Sequence, residues 1–182
     1  MPEAVAIIGA GPLGRWLALA AARAGFRVLL EDVMPANLRH AQELLRRELG
    51  PEALPKVAFV STIEEAVREA DLVIDCVPDE LESKLEILWL LDRMAPPHTV
   101  LATPTTRLSI ADLANCTYRP AQCIAIAAEA SALTGYPAQG SGGAEQQILL
   151  RTTGITAPET VALLDRFWRQ LGYSPLFELE QP

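Results

Sequence analysis

The sequence is poor in the residues that nucleic-acid, metal and disulfide chemistry require. Only 15 of its 182 residues are lysine or arginine, against 23 acidic ones, and the formal net charge is −8. Nucleic acids and anionic membranes are bound by clustered basic residues, so we expect neither as a partner. The three cysteines and two histidines lack the spacing of metal ligands or of a disulfide framework. We therefore expect no metal.

A membrane span and a secretory leader are lacking as well. No apolar run reaches the roughly 18 residues that a membrane span requires. The N-terminus passes directly into the strand-like VAIIG, without the basic start and cleavage site of a signal peptide. These features predict a cytoplasmic protein. Arginine far outnumbers lysine, which is typical of GC-rich bacterial genomes.

Short apolar runs alternate with helical patterns along most of the chain. This alternation predicts an α/β fold, a doubly wound and mostly parallel sheet with helices on both faces. The length suffices for one core but not for a cofactor domain plus a full substrate domain, so we expect a single domain over residues 1–182. The predicted strands are 4–9, 27–32, 57–60, 71–77, 99–103, 122–128, 146–152 and 174–179.

A glycine-rich turn follows the first predicted strand. Gly9, Gly11 and Gly14 form a GxGxxG motif between an apolar run and a helical pattern, the context of dinucleotide binding in a Rossmann-type fold. Gly9 is expected to make the tight turn, Gly11 to admit the pyrophosphate and Gly14 to let the helix pack on the strand. The first helical turn, with Pro12 and Leu13, would present its amides to the phosphates.

An acidic residue ends the second predicted strand, in GFRVLLED. Asp32 lies at about the 20-residue separation that the motif requires, and we expect it to accept hydrogen bonds from the adenosine ribose. Its charge would repel the 2′-phosphate of NADP, so NAD is the predicted cofactor. Glu31 could share or take this role, and a solvated loop carboxylate is the alternative for either acid.

Three stretches together resemble the NAD-binding domain of the 3-hydroxyacyl-CoA dehydrogenases. They are VAIIGAGPLGRWLALAAARAGFRVLLEDV, ADLVIDCVPDELESKLEILWLLD and HTVLATPTTRLSIADLANCTYRP, covering most of residues 4–120. The second stretch is similar to the family's EAVPENLxxK segment, which lies beside the nicotinamide half of the cofactor. The resemblance implies that Val77, Pro78, Asp79 and Lys84 are cofactor neighbours. The alternative is a strand end and a solvated helix face.

The resemblance fails where the family carries its catalytic residues. The family uses a histidine in an HFFNP segment, oriented by a later glutamate, and an ungapped alignment places Ala127 at the histidine position. The glutamate position falls on or near Gln139, with Glu145 as a shifted counterpart. Thr106 keeps a hydroxyl where the family has a substrate-contacting serine. The family's helical C-terminal domain is expected to be absent.

Few other groups could act as a base for hydride transfer, which requires one close to the reacting hydroxyl. His98 precedes a strand and so lies at the edge opposite to the expected ligand site. His40 falls on the adenine side. Glu129, just past the run CIAIAA, remains a weak catalytic candidate together with Thr106, and its alternative is an ordinary loop carboxylate.

Three functions stay open at this point. The first is an NAD(H)-binding protein without the standard dehydrogenase activity by itself, serving as a cofactor-sensing or partner-binding module. The second is a minimal NAD-dependent oxidoreductase for a hydroxyacyl-type substrate, with a base such as Glu129 or a group from another subunit. The third is a scaffold that binds another adenine nucleotide or nothing.

The sequence allows two further partners. An acyl-CoA could bind, although Arg107 and Arg119 are the only basic residues expected to contact its phosphates. Loss of the helical domain should leave apolar surface near the nicotinamide end, and such surface is commonly covered by another protomer. We therefore expect a homodimer.

Overall fold

The computed structural model describes residues 3–128, 133 and 146–180. Within these residues the strands are β1 Ala4–Ile8, β2 Arg27–Glu31, β3 Val57–Val60, β4 Leu72–Asp75, β5 Val100–Pro104, β6 Cys123–Ile126, β7 Gln146–Thr152 and β8 Tyr173–Leu179. The helices are α1 Pro12–Arg23, α2 Pro35–Glu48, α3 Ile63–Val67, α4 Leu81–Met94, α5 Ile110–Asn115 and α6 Pro158–Gln170. Two short 3-10 helices cover Leu54–Lys56 and Pro120–Gln122.

The strands form one sheet in the order β3-β2-β1-β4-β5-β6-β7-β8. The first six strands in this order are parallel to their neighbours, β7 is antiparallel to β6, and β8 is parallel to β7. The predicted doubly wound, mostly parallel sheet is confirmed, and each predicted strand overlaps an observed one. The reversal at β7 is a feature that periodicity alone does not predict.

Helices cover both faces of the sheet because parallel strands must be buried on both sides. One apolar cluster joins the sheet to α1, α2 and α6, through residues such as Leu17, Leu45 and Phe167. The other joins the opposite face to α3, α4 and α5, through residues such as Leu88 and Leu113. In the described part of the chain, no helix has the length and apolar character needed to cross a membrane.

The winding of the chain changes direction at the first strand. From β1 the chain moves to β2 and β3 on one side, and then to β4 and β5 on the other. The loops that follow β1 and β4 therefore diverge at the carboxyl ends of two adjacent strands. In open α/β sheets this divergence leaves the crevice in which ligands bind.

Candidate cofactor site

The three glycines after β1 have three different surroundings. Gly9 has φ +102°, a conformation that side chains rarely adopt, and its amide donates to the Glu31 carbonyl oxygen at 2.8 Å. A Cβ on Gly14 would lie 1.8 Å from the Gly9 carbonyl oxygen, whereas a Cβ on Gly11 would meet no atom within 4 Å. The turn, the close packing and the open approach expected of Gly9, Gly14 and Gly11 thus match the geometry.

Helix α1 begins at Pro12, as predicted, with its positive end uncompensated. Gly11 is the N-cap residue, no side chain caps the helix and its first turn holds no acidic residue. The first amides of a helix lack intrahelical partners, and the helix dipole adds a partial positive charge there. An anionic group at this end would find both unoccupied donors and a favourable potential.

This helix end opens onto a cavity of about 510 Å³ at the carboxyl ends of β1, β4, β5 and β6. The cavity brings together four separate parts of the sequence: the glycine turn, the loop after β4, the loop after β5 and Ala128 after β6. Its lining residues are Gly11, Pro12, Leu13, Gly14, Cys76, Val77, Pro78, Asp79, Pro104, Thr106, Arg107 and Ala128. Eight of the predicted site residues are among them, and Gly9, Asp32 and Lys84 are not.

Asp32 lies beside the glycine turn, and its carboxylate is already oriented. Oδ2 accepts hydrogen bonds from the Ala10 amide at 2.8 Å and from Asn37 Nδ2 at 3.0 Å, and Oδ1 accepts one from the Met34 amide at 2.8 Å. A carboxylate offers about four acceptor positions, two on each oxygen. Oδ1 therefore retains one acceptor position for a ligand hydroxyl.

Glu31, the alternative ribose ligand, is buried next to Asp32. Burial, and secondarily the charge of Asp32, raise the pKa of Glu31 to about 7. Its carboxyl is consequently a weaker anion near neutral pH than an ordinary glutamate.

Lys84 lies beneath the wall of the cavity. Its Nζ is 2.6 Å from Asp75 Oδ1, and both side chains are almost completely buried. Burial raises the pKa of Asp75, and the Lys84 ammonium opposes that rise. The resemblance implies that Lys84 is a cofactor neighbour, and in this arrangement its ammonium is enclosed and paired with Asp75. The pair holds α4 against the end of β4.

Asp79 connects the two loops that wall the cavity. Its Oδ2 accepts a hydrogen bond from the Thr106 amide at 3.3 Å, and its backbone carbonyl accepts one from Arg107 Nη2 at 2.9 Å. The other carboxylate oxygen, Oδ1, is buried without a hydrogen-bond partner among residues 3–128, 133 and 146–180. A cavity residue with an unsatisfied acceptor fits a ligand that supplies a hydroxyl.

An ungapped alignment with the family places its catalytic histidine at Ala127. Ala127 follows β6, its amide bonds the Leu149 carbonyl at 2.8 Å, and its neighbour Ala128 lines the cavity. His98 lies at the opposite edge of the sheet, 3.6 Å from Asp71. Glu129, like Gln139 and Glu145, lies outside the described residues, so its catalytic role stays a prediction.

The expectation that Arg119 could serve the phosphates of CoA is wrong. Its Nε lies 2.8 Å from Asp92 Oδ1, and its other nitrogens donate to the carbonyls of Asp92, Ala95 and Pro96 at the end of α4. This end of α4 lies at the edge of the sheet away from the cavity. Arg119 therefore has a structural role.

Sequence reasoning missed two residues, Glu180 and Arg151, that line a second cavity, which shares Arg107 with the first. Glu180 accepts hydrogen bonds from Ser109 Oγ and from the amides of Ile110 and Ala111, all within 3.0 Å. Arg151 on β7 donates to the Thr106 carbonyl at 3.4 Å. Neither carried a sequence signal, because both contacts join segments that are more than 40 residues apart.

Comparison with known proteins gives a consistent result. The model of the family described as "3-hydroxyacyl-CoA dehydrogenase, NAD binding domain" matches residues 4–127. A probable 3-hydroxybutyryl-CoA dehydrogenase of Bacillus subtilis (strain 168) is 33% identical over 133 residues, which are 66% of this chain and 46% of the relative. An L-carnitine dehydrogenase of Burkholderia mallei is 33% identical over 184 residues, 96% of this chain and 54% of the relative. The chain thus spans about half the length of these curated relatives.

Solved structures agree. The 3-hydroxyacyl-CoA dehydrogenase of Archaeoglobus fulgidus matches with a TM-score of 0.78 and 26% identity, over 99% of this chain and 57% of that one. The (S)-3-hydroxybutyryl-CoA dehydrogenase of Ralstonia eutropha matches with a TM-score of 0.84, over 100% of this chain and 65% of that one. Its 21% identity supports the fold alone.

Proposed function

The chain belongs to the 3-hydroxyacyl-CoA dehydrogenase family through its NAD-binding domain, and we propose that it binds NAD(H) across the carboxyl ends of β1, β4 and β5. The observation that carries this proposal is the open, uncapped N-terminus of α1 at the cavity. The pyrophosphate would lie over Gly11 and accept hydrogen bonds from the backbone amides of Leu13 and Gly14. When bound, NAD supplies a nicotinamide ring that accepts or donates hydride.

The adenosine half would lie beside Asp32. The remaining acceptor position on Oδ1 suits a ribose hydroxyl, and the carboxylate disfavours the 2′-phosphate of NADP. Val33 and Met34, which follow directly, expose 74% and 56% of their surface. These apolar side chains would be covered by the adenine ring, which favours its binding there.

The nicotinamide half would occupy the cavity between the loops after β4 and β5. Val77, Pro78 and Asp79 form one wall, and the unpaired Oδ1 of Asp79 would accept a hydrogen bond from the nicotinamide ribose. Lys84 would act as a positioning residue, because its ion pair with Asp75 fixes the start of that wall.

We further propose that the chain by itself lacks the standard 3-hydroxyacyl-CoA dehydrogenase activity. The standard reaction needs a base at the position of Ala127, and a methyl group cannot take up a proton. Thr106 offers only a hydroxyl, which orients a substrate oxygen but is a poor base.

The second candidate is an oxidoreductase that acts on a different hydroxy substrate. The match to an L-carnitine dehydrogenase over 96% of this chain favours it, because that match extends well past residue 127. Glu129 is the base that this candidate would require.

Calorimetric titration with NAD, NADH and NADP tests the cofactor assignment. We expect NADH to bind and NADP to bind at least about 10-fold more weakly. Asp32→Ala should weaken binding of NADH by about 10-fold, because a hydrogen bond to a charged group contributes about 1.5–3 kcal/mol. The same variant should reduce the difference between the affinities for NADH and NADP. Asp165→Ala, which removes a half-buried carboxylate of α6 that pairs with Arg169, serves as the control.

Two outcomes would contradict these assignments. Absence of NADH binding at millimolar concentration would remove the cofactor site. Steady oxidation of NADH by the purified chain with acetoacetyl-CoA would show that Ala127 does not prevent the standard reaction.

A further inference from the structure

We propose that Arg107 binds the carboxylate of a small hydroxy or oxo acid held beside the nicotinamide. This inference rests on the proposed cofactor site and specifies what binds next to it. A free acid, rather than a CoA thioester, is then the substrate class of this chain.

The position of Arg107 is the first argument. It follows Thr106 directly after β5, on the nicotinamide side of the proposed site, and lines the 510 Å³ cavity. It also lines a second cavity of about 690 Å³, bordered by the start of α5, by Arg151 and by Glu180. Arg107 therefore borders both cavities, so a substrate that extends from the nicotinamide into the second cavity would lie beside it.

The hydrogen bonding of Arg107 is the second argument. One Nη2 bond to the Asp79 carbonyl anchors the guanidinium, and no carboxylate of the described residues forms an ion pair with it. Within residues 3–128, 133 and 146–180 most of its five donors have no acceptor, and the side chain is exposed. An anchored guanidinium with free donors suits the two oxygens of a carboxylate.

Arg151 differs from Arg107 in its surroundings. It donates to the Thr106 carbonyl and lines the second cavity beside Glu180, whose pKa is raised by burial but lowered overall by hydrogen bonds from Ala111, Ile110 and Ser109 and, least, by the charge of Arg151. Arg151 is thus partly compensated by a neighbouring acid, so Arg107 is the better anion ligand of the two.

The charge of the two cavities argues against CoA. Their lining residues include two arginines, Arg107 and Arg151, and three carboxylates, Asp79, Asp112 and Glu180. The phosphates of CoA require a surplus of positive charge, which this set does not provide. A single carboxylate matches one unpaired guanidinium.

The test uses NADH-saturated full chain and calorimetric titration with acetoacetate, 3-hydroxybutyrate, their methyl esters and acetoacetyl-CoA. We expect at least one free acid to bind and its ester, which differs by one charge, to bind at least about 10-fold more weakly. Arg107→Met should weaken binding of the acid by about 10-fold to 100-fold, and by a clearly larger factor than it weakens binding of NADH. Arg68→Met, at an exposed arginine after α3, is the matched control and should change neither.

Each other result overturns the proposal. Binding of neither acid, equal binding of acid and ester, or an unchanged acid affinity in Arg107→Met removes the carboxylate site while the NADH site stands. Tighter binding of acetoacetyl-CoA, lost in Arg107→Met, would identify a phosphate ligand instead. If NADH itself does not bind, the proposed function fails and this inference fails with it.

Discussion

Gly11 and Gly14 stand three residues apart, yet a methyl group added to each would meet different surroundings. Gly14→Ala places Cβ 1.8 Å from a backbone oxygen, so we expect a loss of stability of about 1–3 kcal/mol or more. Gly11→Ala meets no protein atom and occupies the space proposed for the pyrophosphate. It should leave stability within about 0.5 kcal/mol and weaken NADH at least about 10-fold.

Urea unfolding and NADH titration of both glycine variants check this prediction. The result that contradicts it is full NADH affinity in Gly11→Ala, since the backbone would then not approach the phosphates. Equal stability of the two variants would contradict the packing argument for Gly14.

Glu31 predicts a dependence of stability on pH. Its pKa in the folded chain is about 7, above the usual 4.5, so the folded state holds its proton more tightly than the unfolded chain does. The stability that the proton on Glu31 contributes to the folded chain is fully present below pH 4.5 and is lost as pH rises through 7. Glu31→Gln should therefore raise Tm relative to the parent at pH 8 and change it little at pH 4.5.

Thermal unfolding of the parent and Glu31→Gln across this range measures the effect. Glu64→Gln, at an exposed position of α3, is the control and should follow the parent at every pH. A constant difference between parent and Glu31→Gln would show that Glu31 does not titrate there.

Between elements, the ion pair of Lys84 and Asp75 joins α4 to β4. Lys84→Met leaves Asp75 buried without its partner, and breaking a buried pair in this way costs about 3–5 kcal/mol. We expect that loss by urea unfolding at pH 7, with part of it recovered in the double variant Asp75→Asn/Lys84→Met. Lys56, the other lysine of the chain, is exposed, and Lys56→Met should be nearly neutral.

The elements themselves could be predicted closely from the sequence, because strands buried on both faces form continuous apolar runs and helices carry local start signals. The direction of β7 could not be predicted, because the pattern of apolar residues is the same for a parallel and an antiparallel strand. The burial of Lys84 could not either, because its partner lies nine residues earlier and only the packing of α4 on β4 brings the two together.

For the molecule as a whole, the fold separates a ligand edge from a structural edge. Cofactor binding should slow hydrogen exchange at residues 9–15, 76–80 and 104–108, which lie at the carboxyl ends of the strands. Residues 95–99 and 118–122, at the opposite edge around Arg119, should exchange unchanged. Mass spectrometry of the exchanged chain with and without NADH makes this comparison, and equal protection of both edges would indicate general stabilisation rather than a local site.

The candidate site could be predicted in part at this scale. The glycine motif predicted Gly11 as a cofactor residue, the family resemblance implied Val77 and Thr106 as its neighbours, and all three lie at the carboxyl ends of parallel strands, where ligands bind in such sheets. The same reasoning could not place Arg119 or Glu180, because each is positioned by bonds to a distant segment. Sequence motifs therefore predict which edge of the sheet binds the ligand, whereas contacts between distant segments determine which charged side chains lie at that edge.

The hydrogen bonds of Glu180 to the start of α5 fix its position, and this position determines where a tag or a dye should be attached to the chain. Because Glu180 borders the second cavity, a group joined directly to Glu180 would lie beside that cavity. Glu3 precedes β1 at the far edge of the sheet, so a group joined to Glu3 would lie away from it. An environment-sensitive dye coupled to Gly154→Cys, at another residue that lines the second cavity, would report occupancy of that cavity directly.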